Sequence, residues 1–173
     1  FETNASVDVA YKDAVFGTKE IQVLGLSGAY VQLLTENMPI INSLGLPVGL
    51  NTIAGTQIHS ISIIKGPGSV VFGHESMSGM VNVDFKNPLS THKTFINAYI
   101  DYNLRKELNV DQRFDIGKNS SILFSGHFDH MNTKVDNNFD NFLDMPLGND
   151  AIIMLRHKYD KSGWVNQNTF KYI

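Results

Sequence analysis

The feature that most constrains this chain is the alternation in Leu108-Asn109-Val110-Asp111-Gln112-Arg113-Phe114-Asp115-Ile116. Successive side chains of a strand point to opposite faces, so Asn109, Asp111, Arg113 and Asp115 share one face, and Leu108, Val110, Phe114 and Ile116 share the other. A period of two with charges on one side predicts a β-strand with one wet face. Neighbouring segments repeat the pattern. Thr94 to Tyr102 sets Ile96, Ala98 and Ile100 against Asn97, Tyr99 and Asp101; Ser121 to His130 sets Ile122, Phe124 and Phe128 against Ser125, His127 and Asp129; Ala151 to Tyr159 sets Ile153 and Leu155 against Met154, Arg156 and Lys158. Trp164 to Tyr172 reads as a further strand whose faces the sequence does not reveal.

The connections between these strands are unequal. Gly117-Lys118-Asn119-Ser120 and Asp160-Lys161-Ser162-Gly163 are tight, whereas Met131 to Asp150 is too long for a hairpin turn in a compact soluble domain. Consecutive antiparallel strands place the tight turns at one end and the long loop at the other. Outer-membrane barrels have this asymmetry. A soluble sandwich or lipocalin-like barrel gives the same alternation with its apolar face inward, so alternation alone leaves both open.

Composition narrows the classes. No run of apolar residues approaches the roughly 20 that a membrane helix needs, which excludes such a helix but not a barrel, whose strands need about 9 to 11. Hydrophobic content of 42% with 18% charged residues is that of a folded chain. A net charge of −3 argues against nucleic acid, which would call for a basic stripe. With no cysteine, neither a disulfide framework nor a thiolate metal site is available.

Before the alternating region lies a different kind of sequence. Val7-Asp8-Val9, Ile21-Gln22-Val23-Leu24 and Tyr30 to Asn37 read as short strands, the last closing at Met38-Pro39, and one helical turn is expected near Leu50 to Ala54. Ile61-Ser62-Ile63-Ile64 then runs into Lys65-Gly66-Pro67-Gly68. Pro67 presets φ at the second turn position and Gly68 supplies the freedom for φ > 0. Ser69 is placed to cap a helical turn from Val70 to Phe72, which Gly73 can end, and a strand from Met80 to Lys86 follows. Asn87-Pro88 must end that strand, since proline cannot donate into a sheet.

Two nucleotide motifs fail here. Gly68 and Gly73 have the glycine spacing of a phosphate-binding loop, but His74-Glu75 stands where Lys-Ser should be, and Val71 occupies the third glycine of a dinucleotide fingerprint.

The string from Lys65-Gly66-Pro67 through Ser69 and Gly73 to Gly79-Met80-Val81-Asn82-Val83 resembles the later plug domain of TonB-dependent outer-membrane receptors. Asn4 to Val9, Ile21 to Leu26 and Gln32 to Asn37 look like the plug of the Bacteroidetes branch. Two residues depart from the pattern: Ser62 stands where the family usually has an acid, and Glu75 where it often has glycine. An acid-base lock therefore does not carry over to Ser62, and Lys65 remains as the basic residue that would pair with a barrel-wall carboxylate.

The resemblance implies an α+β plug domain with a small mixed sheet over 1–88, then antiparallel transmembrane β-barrel strands over 89–173, a partial barrel of five strands where the family has about 22. It implies an internal portion of a longer receptor, since five strands leave two unpaired edges. The implied function is import of a scarce ligand across the Gram-negative outer membrane: a ferric siderophore, cobalamin or another metal chelate. Its partners are the inner-membrane TonB-ExbB-ExbD complex, outer-membrane lipid and the ligand, with no nucleic acid. A SusC-like oligosaccharide importer and a soluble β-rich carbohydrate- or lipid-binding module are the alternatives. No enzyme is expected, because no nucleophile-base set or carboxylate pair has a suitable spacing. The motif residues expected to matter are Lys65, Gly66, Pro67, Gly68, Ser69, Gly73, Gly79 and Asn82. Asn42, Ser43 and Leu46 are candidate ligand contacts at the plug apex.

Two metal readings arise. Asp136, Asn138, Asp140 and Asp144 place oxygens in the order of a calcium loop, though Asn141 replaces the turn glycine and Leu147 the closing glutamate; an Asx-rich turn explains the same residues. His74, Met77 and Met80 offer imidazole and sulfur suited to copper, while Met80 on a strand reads as core.

Overall fold

The period-two segments and the short apolar runs form two compact units, Phe1–Ile53 with Ile58–Phe85, and Ala54–Gln57 with Lys86–Ile173. The computed structural model describes residues 7–13, 18–26, 28–40, 49, 51–68, 76–137, 143–144 and 147–173.

In the first unit, β1 (Val7–Asp13) and β2 (Thr18–Val23) form an antiparallel hairpin in which Val7 faces Val23 and Val9 faces Ile21. A four-stranded sheet has the order β4-β3-β6-β5, built from β3 (Val31–Thr35), β4 (Met38–Pro39), β5 (Ile58–Lys65) and β6 (Gly79–Phe85). The sheet is mixed: β3 and β6 run parallel, while β5 runs antiparallel to β6. Val7, Ile21, Val23, Val31, Leu33, Val81 and Val83 form its core. These are mostly β-branched residues, which suit a pleated buried surface. Pro39 sits on the edge strand, where its missing donor leaves no ladder bond unmade. Near the expected helical turn, Gly49 and Asn51 are helical and a short 3-10 turn spans Gly55–Gln57.

The second unit is a five-stranded antiparallel sheet in sequential order: β7 (Thr94–Ile100), β8 (Lys106–Gly117), β9 (Ser120–Met131), β10 (Gly148–Lys161) and β11 (Trp164–Tyr172). β8, β9 and β10 have 12, 12 and 14 residues, enough for a tilted strand to cross a bilayer. The turn at Ser162-Gly163 has φ of 50° and 85°, the pair of positive values that suits a two-residue hairpin.

Burial in this sheet is inverted relative to a water-soluble protein. Asn109, Asp111, Ser121, Ser125 and Arg156 are buried on one face, with Leu123, Ile152 and Met154 among them. The opposite face exposes Ile96, Leu108, Phe114, Ile116, Phe128 and Leu155. Asn109 is 0% exposed, and Phe114, on the other face of the same strand, is 55%. A soluble sandwich needs the reverse, since a large contiguous apolar surface is not left in water. Register also assigns β11: Phe170 lies opposite Leu155 and Tyr172 opposite Ile153, so both join the apolar face.

Candidate functional site

The motif turn sits in the first unit, between β5 and the start of β6. Lys65 is exposed at the end of β5, opposite Gly79. The positive φ falls on Gly66, at +89°, and not on Gly68 as the turn chemistry suggested. What Gly68 supplies is space: a Cβ there would stand 2.5 Å from Ser76 Oγ and 2.7 Å from Met80 Sδ. Its N–H reaches Ser76 O at 3.0 Å and Ser76 Oγ at 3.1 Å, while the Gly66 N–H reaches Ser78 O at 2.9 Å. Pro67, with no donor of its own, spans the gap between those two bonds. Gly79 is equally confined, since its Cβ would meet the Ile64 carbonyl at 2.6 Å.

Asn82 has a specific task. Its Oδ1 accepts the Asn37 N–H at 2.8 Å, and its Nδ2 donates to Asp84 Oδ1 at 3.0 Å. Glu36 and Asn37 form the β3–β4 turn with φ of 52° and 63°, unusual for residues with a side chain. Asn82 thus holds a strained turn from the neighbouring strand. Met80 is buried core and Met77 is exposed. Ser69, Gly73, His74, Asn42, Ser43 and Leu46 lie outside the described residues, as do Asn138 and Asp140. In that last loop Asp144 Oδ2 accepts the Asn137 N–H at 2.7 Å, across seven residues of chain. No group of three or more acidic or histidine side chains converges among the described residues.

The second unit holds a buried polar network that the sequence reading did not assemble. β6 ends at Phe85, one residue before the expected Lys86, because Lys86 is drawn elsewhere. Its N–H donates to Gln57 O at 3.0 Å, and its ammonium lies 2.6 Å from Asp111 Oδ2 and 4.7 Å above the Phe95 ring. The Ser125 hydroxyl donates to the other Asp111 oxygen. Thr56 Oγ1 donates to Asn109 Oδ1 at 2.8 Å, His127 Nδ1 meets the same oxygen at 2.7 Å, and Asn109 Nδ2 donates to Glu107 Oε1 at 2.7 Å. Ala54–Gln57 and Lys86 are therefore fastened to β8 and β9. The sequence placed Asn109 and Asp111 on one face, but nothing in it pointed to Thr56 or Lys86 as their partners.

Further along the same wall, Arg113 Nη1 donates to Thr91 O at 2.6 Å and its Nε pairs with Asp115 at 3.0 Å. Arg105, in the β7–β8 turn, forms a two-point contact with Asp129, and that hydrogen bond raises the guanidinium above its ordinary pKa. The Lys86–Asp111, Arg105–Asp129 and Arg113–Asp115 pairs compensate one another's charge locally, as burial requires. The arrangement provides positioning and attachment.

Residues 2–80 match the family model described as the TonB-dependent receptor plug domain. No curated protein matches the sequence. Among solved structures, the chain is similar to the FrpB iron transporter from Neisseria meningitidis in its apoprotein form, with a TM-score of 0.71 and 12% identity over 96% of this chain and 28% of that one. It is similar to the copper transporter OprC, with a TM-score of 0.72 and 12% identity over 95% and 25%. The ferric yersiniabactin uptake receptor FyuA from Yersinia pestis gives 0.57 and 17% over 90% and 24%. The chain spans about a quarter of the length of these proteins, and at such identities the likeness shows the fold. Sequence motif, mixed sheet and inverted burial agree with it: residues 2–80 match the plug domain of TonB-dependent receptors, and the strands that follow share the fold of these solved structures.

Proposed function

We propose that this chain serves in energy-coupled import of a metal ion or metal chelate across the Gram-negative outer membrane. The observation that carries the reading is a plug domain continuing into a sheet with an exposed apolar face and a buried polar face. That combination suits a wall bathed in lipid on one side and polar on the other. The solved structures of similar fold are named for iron, copper and ferric yersiniabactin, which supports a metal cargo. The inner-membrane TonB complex is the proposed energy source.

The test is elemental analysis of the intact parent protein, purified in detergent from its native outer membrane. Near-stoichiometric iron, cobalt or copper supports the reading. Bound oligosaccharide with none of these metals overturns it in favour of a SusC-like importer. Calcium in the same analysis would support ion binding at 136–144, and its loss on Asp136→Ala would place it there.

A further inference from the structure

The apolar face of β9, β10 and β11 carries a polar pair that the attachment network on the other face does not use. Ser120 Oγ and His157 Nε2 are 3.0 Å apart, a serine hydroxyl on an imidazole nitrogen, brought together across 37 residues of chain. By alternation both belong with the exposed Leu155 and Phe128, opposite the buried Ser121 and Arg156. With the imidazole proton on Nδ1, Nε2 accepts the Ser120 O–H, the arrangement that activates a serine as a nucleophile.

Register builds a grid around the pair. Tyr159 lies directly opposite Ser120, and Asn166 opposite Tyr159; in the next row His157 lies opposite Ile122, and Asn168 opposite His157. Side chains directly opposite one another stand about 5 Å apart at Cβ, so Asn168 is within reach of the imidazole. Its Nδ2 donates to Asn166 Oδ1 at 2.7 Å, which leaves its own Oδ1 to accept the Nδ1 proton and fix that tautomer. The same bond occupies the Asn166 oxygen and leaves Asn166 Nδ2 as a donor in the row of Ser120. A groove of about 430 Å³ adjoins this row, lined by Tyr159, Lys161, Ser162, Trp164, Val165 and Asn166.

We propose that Ser120, His157 and Asn168 form an acyl-transfer centre that hydrolyses a carboxylic ester with an apolar acyl group, an activity additional to import. Ser120 Oγ attacks the ester carbonyl carbon while His157 Nε2 takes the hydroxyl proton. The C–O bond to the alcohol breaks, and the alcohol leaves with that proton. Water, deprotonated by the same nitrogen, then attacks the acyl-serine, releasing the carboxylic acid and restoring both side chains. Asn166 Nδ2 and the Tyr159 hydroxyl are the donors in register to meet the oxyanion. Asn168 is a positioning residue, since it acts through His157. Ser120 opens β9 immediately after the tight Lys118-Asn119 turn, so the acyl group has apolar surface on one side and the second step has water on the other. The centre stands on the pairing of β9, β10 and β11 and not on the import reading, so either can fail without the other.

The test treats the intact parent protein in detergent with a fluorophosphonate probe and, separately, with p-nitrophenyl butyrate. The probe should modify Ser120, located by peptide mass spectrometry, and the ester should turn over. Ser120→Ala should abolish both. His157→Gln should slow both at least about a hundredfold. Added imidazole should restore labelling in His157→Gly, a recovery that a merely structural histidine would not give. Asn168→Ala should slow labelling, and Asn168→Asp should recover it. Heat-modifiable gel migration identifies any variant that has lost its barrel. An unmodified Ser120, labelling undiminished in a folded His157→Gln, or ester turnover that survives Ser120→Ala overturns the inference.

Discussion

Replacing Lys86 by methionine keeps most of its carbon chain and removes the charge that faces Asp111. The carboxylate is 1% exposed and would be left with the Ser125 hydroxyl as its remaining side-chain partner. Breaking a fully buried pair costs about 3–5 kcal/mol. Lys86 is 22% exposed, so water reaches one partner, and the cost falls to about 2 kcal/mol. Lys86 N–H bonds to Gln57 O, so the loss should appear in native-state hydrogen exchange of peptides around residues 57 and 86. At 1.36 kcal/mol per decade, protection there should drop about 30-fold. The double variant Lys86→Met with Asp111→Leu removes both charges and should recover most of that protection, because an apolar pair carries no desolvation penalty. Unchanged exchange in the single variant, or a double variant that loses the sum of both single losses, would refute the reasoning.

Other substitutions test the remaining claims. Gly68→Ala should destabilise the plug by about 1–3 kcal/mol through overpacking against Ser76 and Met80, read by urea unfolding, with partial relief on adding Ser76→Ala. Asn82→Ala should cost about 0.5–1 kcal/mol, the net worth of an exposed hydrogen bond to the Asn37 N–H, whereas Asn37→Gly should be tolerated because φ there is already positive. Ile96 is 67% exposed, so a soluble sheet would accept Ile96→Arg within about 0.5 kcal/mol, while a lipid-facing strand should lose about 2–4 kcal/mol when folded into vesicles. Pro67→Ala with Gly68→Val should impair uptake in the parent protein without abolishing barrel insertion; normal uptake would remove the turn from the mechanism.

Much of the wall was legible because a strand's period is local. The faces of 108–116 follow from side-chain chemistry alone, and the structure keeps Asn109 and Asp111 together on the buried face. β11 was illegible for the same reason: Asn166 and Asn168 interrupt its apolar positions, and only pairing with β10 shows that Phe170 and Tyr172 belong with Leu155 and Ile153. In the motif turn the residue types were readable but their duties were not. A glycine needed for φ > 0 and one needed for space look identical in sequence, and the difference between Gly66 and Gly68 lies in Ser76 and Met80, which reach the turn from further along the chain.

The sequence by itself determined that the later chain is strands with one polar and one apolar face, and that Lys65 to Val83 carries a plug-type turn and strand. Both are short-range properties, set by side-chain alternation and by the φ demands of Gly and Pro. Tertiary structure decided which face is buried and which residues close the network on it. Alternation says that two faces differ, not which one meets solvent, and the bonds from Thr56 to Asn109 and from Lys86 to Asp111 span separations of 53 and 25 residues, over which no local pattern carries information.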